Sequence, residues 1–352
     1  MKAHNSSFGS IKSISVLLPG ITGRRWQSGG LLIAQKLARL LNAHVPTRTV
    51  TYIDREISEL YLDDILESSD PADVFIASWG PHVNDLTQRL KGRRLVYYAQ
   101  STGWSIQLPI SVPIISLSRH IMAQWMLDAP HNPSFLLGPV LEPECYNHEV
   151  DRDIDVLFLE RKSTKYLQHQ LVPALRQKCK VHTVREFVSR EELFNIYNRS
   201  RVYVYSSAPW ASGWVEGFGF QPLEALMCGC AVFSNLHGGL ADYLEPEMNA
   251  FKLESYSLQY DVARVLKVLE DGWTNSDSDV AGLRTEYSEE AFHRRVQRIL
   301  PALNAFFPHA ESSYADILRL IAEPKTPAWR LAVYRNRKHA GNRLRTMLAS
   351  KP

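Results

Sequence analysis

Short apolar runs of strand length alternate with longer amphipathic segments of helix length along most of this chain. The first run, Ile14–Leu18, predicts a buried strand, and a glycine-containing loop over residues 20–30 follows it. Residues 31–42 then predict a helix, because apolar side chains recur on one face at helical spacing. These side chains are Leu32, Ala34, Leu37, Leu40 and Leu41. A strand, a glycine loop and a helix in that order open a Rossmann-like unit, whose turn presents N–H groups to phosphate.

The same alternation fills both halves of the chain. The further strands predicted in the first half lie at 48–53, 73–78, 95–99 and 113–118, and the helices between them at 57–67, 83–90 and 119–127. Prolines interrupt the pattern, and we place an interdomain linker at 138–150. The pattern restarts with a strand at Ile154–Leu159. It predicts an α/β protein with two Rossmann-like domains that face a cleft. The predicted domains are 1–140, 150–300 and a helical basic tail over 301–352.

The composition is ordinary for a globular protein, with 45% apolar and 22% charged residues. No apolar run reaches the roughly 20 residues that span a bilayer, and the N-terminus shows no signal-peptide pattern. The four cysteines and the scattered histidines lack metal-ligand spacing. We therefore expect reduced thiols in the cytoplasm, no metal site and no cofactor.

The charge is uneven. Residues 325–352 carry eight basic and no acidic side chains, which leaves 32 basic against 37 acidic residues in the remainder. Apolar residues are interspersed in this segment, so it is typical of a basic amphipathic helix on an anionic membrane surface, at the inner face of the membrane. A solvated chain end is the alternative. Nucleic-acid binding is not expected, because no nucleic-acid-binding motif accompanies the basic segment.

The segment 216–239 concentrates glycines and acidic residues around a predicted helix start. Gly217 and Gly219 free the backbone before a helix that begins near residue 220 or 222, and a short buried strand follows at 230–233. Glu216 and Glu224 therefore bracket a helix N-terminus, whose unpaired N–H groups and positive dipole end favour a phosphorylated ligand. A capping acid and an ordinary helical glutamate would have the same spacing.

Several consecutive motifs in this segment carry a family resemblance. Glu-Gly-Phe-Gly at 216–219, Pro-Leu-Glu-Ala-Leu at 222–226, Cys-Gly at 228–229 and Gly-Gly at 238–239 resemble the Glu-x7-Glu signature of retaining nucleotide-sugar glycosyltransferases. These enzymes have the GT-B fold and are of the family 4 type, the glycosyl transferases group 1. The resemblance covers roughly residues 14–305 and is most specific over 203–245.

The resemblance implies a hexosyltransferase type of enzyme. Such an enzyme moves a sugar from a nucleotide-diphosphate donor to a glycan or lipid-linked acceptor, in polysaccharide or cell-surface glycan biosynthesis, and requires no metal. It implies that Glu216 lies beside the donor sugar and that Arg161 and Lys165 bind the diphosphate, with Lys162 as the alternative cation. Glu224 would accept the ribose hydroxyls. A solvated basic loop is the alternative for the cations.

The resemblance also implies donor-binding positions on both halves of the chain. They are Gly29, Gly30, Gln100, Val188, Gly217, Phe218, Gly219, Phe220 and Glu224. Gln100 stands where much of the family has a histidine, and it resembles a rhamnosyltransferase-like subgroup. Its amide would form a hydrogen bond with a sugar hydroxyl, or Gln100 would be an ordinary polar residue at the end of a strand. Trp210 and Trp214 would stack on a sugar or cover the core.

Two alternatives to transfer remain open from the sequence. The same fold supports an epimerase or a phosphorylase, and it also supports a non-catalytic module that binds a nucleotide sugar beside a partner enzyme. The sequence does not identify the donor base and sugar, the acceptor or the oligomeric state.

Overall fold

The computed structural model describes most of the chain up to residue 310. The described residues are 10–23, 26, 28–57, 59–78, 80–102, 106–161, 163–207, 216–253, 257–273 and 277–310. The described residues from 10 to 307 belong to one compact unit. The predictions for Lys162, Trp210, Trp214 and the basic segment 325–352 fall outside the described residues.

The first half folds into a seven-stranded parallel sheet. Its strands are β1 Ile14–Leu18, β2 Thr47–Thr51, β3 Leu60–Tyr61, β4 Val74–Ala77, β5 Arg94–Ala99, β6 Ile114–Ser116 and β7 Ser134–Leu136. Their order is β3-β2-β1-β4-β5-β6-β7. The connecting helices are α1 Gly29–Leu41, α2 Leu62–Leu66, α3 Val83–Arg89 and α4 Arg119–Asp128. Parallel strands joined by helices bury the sheet on both faces, which explains the nearly continuous apolar runs.

The second half folds into a five-stranded parallel sheet in the order β12-β11-β10-β8-β9. Its strands are β8 Ile154–Leu159, β9 Val181–Val184, β10 Ser200–Tyr205, β11 Ala231–Ser234 and β12 Phe251–Lys252. Its helices are α5 Val172–Arg176, α6 Arg190–Asn198, α7 Phe220–Met227, α8 Leu258–Asp271, α9 Asp277–Glu286 and α10 Glu289–Ala310. A π-helical turn at Leu167–Leu171 leads into α5. The chain therefore consists of two Rossmann-like domains, and the predicted fold class is confirmed.

Helix α1 begins two residues earlier than its apolar pattern predicts. Ser28 caps it by accepting a hydrogen bond from the Leu31 amide, so Gly29 and Gly30 form the first helical turn. With this start, Leu31 turns inward and is 5% exposed, whereas Leu32 is 61% exposed. The placement of Leu32 on the buried face was therefore wrong.

Helix α10 crosses back to the N-terminal domain and ties the two halves together. The Ile11 amide donates to Asn304 Oδ1 at 2.8 Å. At the end of α1, His44 Nε2 and His293 Nδ1 are 2.8 Å apart. From the middle of α1, Lys36 Nζ donates to the carbonyl of Val140 in the interdomain linker at 3.0 Å.

In the described residues, no helix combines the length and the apolar character that a bilayer crossing requires.

Candidate functional site

A glycine loop between β10 and α7 forms the centre of the candidate site. Gly219 caps α7 with φ +78°, a conformation that side chains rarely adopt. A Cβ at Gly219 would lie 2.4 Å from the Leu240 side chain. Tyr243 donates a hydrogen bond to the Gly219 carbonyl, and the buried Phe218 ring packs 5.3 Å from the Tyr243 ring. The loop is thus held rigidly at the helix start that the sequence predicts.

The same loop lies directly against the N-terminal domain. A Cβ at Gly217 would approach the Gln100 carbonyl oxygen to 2.3 Å, and a Cβ at Gly239 would approach the Gly217 carbonyl oxygen to 2.1 Å. The Ser118 hydroxyl, at the start of α4, donates to the Gly217 carbonyl at 2.7 Å. Only residues without a side chain fit at these two contacts, so the glycines bring the carboxyl ends of β5 and β10 together.

Glu216 is fixed at the start of this loop by a tyrosine. The Tyr205 hydroxyl, at the end of β10, donates to Glu216 Oε2 at 3.1 Å. Burial raises the pKa of Tyr205 well above its usual value, and the charge of Glu216 raises it further. Tyr205 therefore stays protonated and donates, and it is the one hydrogen-bond partner of the half-buried Glu216 carboxylate among the described residues.

Glu224 is engaged by an arginine that the sequence analysis did not identify. Its side chain is 1% exposed, and its two oxygens accept from Arg190 Nη1 at 3.0 Å and Nη2 at 2.5 Å. The Arg190 guanidinium also lies over the Phe194 ring, 4.7 Å from its centroid. A bidentate pair of this kind holds the planes of the guanidinium and the carboxylate in a fixed geometry. Glu224 is thus oriented and neutralised by the first residue of α6.

A cavity of about 180 Å³ lies between the two domains beside this pair. It has apolar walls from α1, the linker and α10, with charged groups at two places. Its lining includes Gly29, Lys36, Val140, Glu142, Arg190, Phe220, Glu224 and Phe292. The structure therefore brings together Gly29, Phe220 and Glu224, which the resemblance assigned to donor binding. Gln100 and Gly30 are also joined, since the Gln100 amide donates to the Gly30 carbonyl at 3.0 Å.

The predicted diphosphate-binding cations lie at the carboxyl end of β8. Arg161 and Lys165 are exposed, and within the described residues neither forms an ion pair. Their loop is joined to the end of β10 by a bridge between Ser163 and Ser207. The cations are therefore on the same sheet edge as Glu216 and open to an anionic solute. Val188 is half-buried just before α6, where Ser189 caps the helix by accepting a hydrogen bond from the Glu192 amide.

A polar cluster at the end of β11 was also missed. The Ser207 amide donates to Asn235 Oδ1 at 3.3 Å, and Asn235 Nδ2 donates back to the Ser207 carbonyl at 2.7 Å. Asn235 Nδ2 also lies 2.7 Å from His237 Nε2. A polar pair just after a buried strand was the available signal in the sequence. In the described part of the chain, no group of three or more metal-ligating side chains comes together.

Comparison with known proteins fits this geometry. Residues 156–294 match the family model of the glycosyl transferases group 1. A sucrose synthase from Melioribacter roseus is 22% identical over 228 residues, which are 59% of this chain and 27% of that protein. This chain thus spans about a quarter of the length of that curated relative.

Solved structures share the two-domain fold. HepE from Anabaena, solved in complex with UDP-glucose, matches with a TM-score of 0.59 at 14% identity, over 82% of this chain and 99% of HepE. Sucrose-phosphate synthase from Thermosynechococcus elongatus matches with a TM-score of 0.60 at 13% identity, over 84% and 99% of the two chains. A glycosyltransferase from Rickettsia africae matches with a TM-score of 0.61 at 11% identity, over 83% of this chain and 98% of that protein. The fold is therefore that of GT-B proteins.

Proposed function

Because residues 156–294 match the family model of the glycosyl transferases group 1, we propose that this chain is a retaining glycosyltransferase. It transfers a sugar from a nucleotide-diphosphate donor to a glycan or lipid-linked acceptor. The observation that carries the proposal is the fixed carboxylate of Glu216, which stands beside a helix start at the junction of the two domains. The exposed cations Arg161 and Lys165 lie on the same sheet edge.

In the proposed reaction, the bond between the sugar and the diphosphate breaks through an oxocarbenium-like transition state. Negative charge develops on the departing diphosphate, and Arg161, Lys165 and the N-terminus of α7 stabilise it. Positive charge develops on the sugar ring, and the carboxylate of Glu216 stabilises it. Tyr205 keeps that carboxylate in place through the hydrogen bond already described. The acceptor oxygen then bonds to the anomeric carbon on the face that the diphosphate leaves, and its proton passes to the departing diphosphate.

The other predicted residues have supporting positions. Glu224, held by Arg190, would accept the ribose hydroxyls at the wall of the interdomain cavity. The contact of Gln100 with Gly30 holds the N-terminal side of the site, and enclosure between the domains would exclude water and limit hydrolysis of the donor. The basic segment 325–352 would bring the enzyme to an anionic membrane surface where a lipid-linked acceptor resides.

The test is the substitution Glu216→Gln, which keeps the hydrogen-bonding shape and removes the charge. UDP-glucose is the first donor to try, since the HepE structure contains it, and ADP-, GDP- and TDP-sugars follow. We expect nucleotide binding within about twofold of wild type and a loss of transfer of roughly 100-fold or more. Glu67→Gln, at an exposed position in the N-terminal domain, is the matched control and should leave transfer unchanged.

The same assay separates the alternatives. Unchanged transfer by Glu216→Gln would remove this residue from the mechanism. Conversion of the donor sugar without any acceptor would indicate an epimerase instead. Binding of nucleotide sugars without any chemistry, in the presence of a broad acceptor panel, would indicate a non-catalytic module.

A further inference from the structure

His237 is a titratable residue at the candidate site to which the proposed mechanism gives no role. It follows β11, two residues before Gly239, whose amide donates to the Glu216 carbonyl at 2.8 Å. It therefore belongs to the loop that packs against the glycine loop. On its other side, Asn235 connects it to Ser207 and so to the loop of Arg161 and Lys165. His237 thus stands between the predicted diphosphate site and Glu216.

The hydrogen bonds around Asn235 determine which ring nitrogen of His237 carries the proton. Ser207 sets the orientation of the Asn235 amide, because the Ser207 N–H donates to Asn235 Oδ1 and the Ser207 carbonyl accepts from Asn235 Nδ2. Asn235 Nδ2 is then a donor toward His237 Nε2 at 2.7 Å. A nitrogen that accepts a hydrogen bond has a free lone pair, so in the neutral ring the proton resides on Nδ1.

This Nδ1–H group is buried and has no hydrogen-bond partner among the described residues. A buried donor without a partner destabilises a fold measurably, and native structures rarely retain one without a reason. A ligand oxygen that accepts a hydrogen bond from Nδ1–H would be such a reason. The group lies at the junction of the domains, because His237 is within electrostatic reach of His120 on α4 of the N-terminal domain. An oxygen bound there would be accessible to both halves of the chain.

We infer that His237 is a donor-binding residue whose Nδ1–H donates a hydrogen bond to an oxygen of the phosphate that carries the sugar. The inference rests on the proposed function, since it names a contact of the same nucleotide-diphosphate donor. The position of the ring decides which phosphate is meant. His237 adjoins the Glu216 loop, where the sugar would lie, and its network reaches the Arg161 loop, where the diphosphate would lie. The sugar-bearing phosphate is the part of the donor between those two places.

Calorimetric titration of the full chain with UDP and UMP tests the contact. We expect His237→Leu to weaken UDP binding by roughly 10- to 100-fold, the loss typical of a hydrogen bond to a charged group. UMP lacks the second phosphate, so its affinity should change by less than about twofold. His237→Asn should stay within roughly threefold of wild type for UDP, because its amide keeps an N–H near the position of Nδ1. His131→Leu, at an exposed turn, is the control and should bind both nucleotides as wild type does.

Each outcome has one interpretation. Equal UDP affinity for wild type and His237→Leu would overturn the inference and leave the proposed function intact. A loss seen only with UDP-glucose and not with UDP would assign the contact to a sugar hydroxyl and overturn the phosphate assignment. Wild-type protein that binds no nucleoside diphosphate from a panel of ADP, GDP, TDP and UDP would overturn the proposed function together with the inference.

The tautomer itself has a direct readout that does not depend on activity. Nitrogen-15 NMR of the free protein at pH 8 should show a pyrrole-type Nδ1 and a pyridine-type Nε2 for His237, with the signal assigned by its loss in His237→Asn. Addition of a nucleoside diphosphate should shift Nδ1 more than Nε2. A pyrrole-type Nε2 in the free protein would overturn the inference even if the Leu variant failed to fold.

Discussion

At the scale of single residues, the candidate site depends on side chains that a partner holds in place, as Tyr205 holds Glu216 and Arg190 holds Glu224. Glu216 and Glu224 were recognisable because glycine, proline and acidic positions within a few residues define a helix start. Arg190, which binds both oxygens of Glu224, is 34 residues away in the sequence. Tyr205 likewise binds Glu216, 11 residues further along the chain, and Asn235, which contacts His237, is held by Ser207, 28 residues away. Their chemistry depends on which strand ends meet, and the sequence pattern alone does not fix those contacts.

The Arg190–Glu224 pair provides a prediction about stability. Substitution Arg190→Gln would leave the buried Glu224 carboxylate without its cation. We expect the free energy of unfolding to fall by about 1–3 kcal/mol, less than for a fully buried pair because the Arg190 side chain is 46% exposed. Urea unfolding followed by circular dichroism measures the change. Arg176→Gln removes an exposed guanidinium that binds only Thr183 in the described structure, and it should shift the midpoint little. An equal effect of both substitutions would contradict this account of the pair.

At the scale of elements, long periodic segments were predicted well and short ones poorly. Strands β1, β8 and β11 and helix α1 lie close to their predicted bounds, and α7 begins at the predicted residue 220, because each buries a continuous apolar run or face. The two-residue strand β3 was read as part of a helix, and the three-residue strand β7 was not predicted. Strands as short as β3 and β7 are stabilised by a neighbouring strand, so their own residues give little signal.

The glycine loop provides a prediction for an element. A methyl group at Gly217 would meet the Gln100 carbonyl oxygen at 2.3 Å, so Gly217→Ala must shift the loop away from β5. We expect a loss of about 1–3 kcal/mol in stability and a drop in transfer activity, because Glu216 moves with the loop. Gly282→Ala, in α9 with open space around it, should instead stabilise the chain by about 0.5–1 kcal/mol. Thermal unfolding and transfer assays on both variants measure the difference. Wild-type stability in Gly217→Ala would show that the close contact is not retained in solution.

At the scale of the whole molecule, two Rossmann-like domains were predicted and found. Helix α10 runs from Glu289 to Ala310, past the position near residue 300 where the tail was expected to begin. Its apolar face is largely buried. The partners on the N-terminal domain, such as Ile11 and His44, lie some 250 residues or more away in sequence, and no local pattern indicates them.

The His44–His293 contact predicts how pH acts on the whole unit. A hydrogen bond between two imidazoles requires one free lone pair, so protonation of both rings replaces attraction by repulsion. Burial lowers the pKa of His44 below its usual 6.5, and His293 lowers it further. A lowered pKa means that the folded state favours the neutral ring, so the stabilising contribution is present above pH 6.5 and is lost as pH falls through the folded pKa. We therefore expect the thermal midpoint to fall between pH 7.5 and 5.5.

The variant His44→Gln isolates that contribution. Its amide still hydrogen-bonds but does not titrate, so the decline of the midpoint over the same pH range should be shallower than in wild type. His182→Gln, at an exposed position on β9, controls for the removal of one imidazole and should keep the wild-type slope. Parallel slopes for wild type and His44→Gln would assign the pH dependence to other groups.

The close approach of Gly217 to the Gln100 carbonyl restricts how this protein tolerates recombination. A hybrid that joins the first half of this chain to the second half of a distant homologue would graft a foreign loop onto the end of β5. Such a graft fits only if it brings a residue without a side chain opposite Gln100, together with a backbone carbonyl within reach of Ser118. The success of such an exchange would therefore depend on the absence of a single Cβ atom at the contact with Gln100, even where each half folds well on its own.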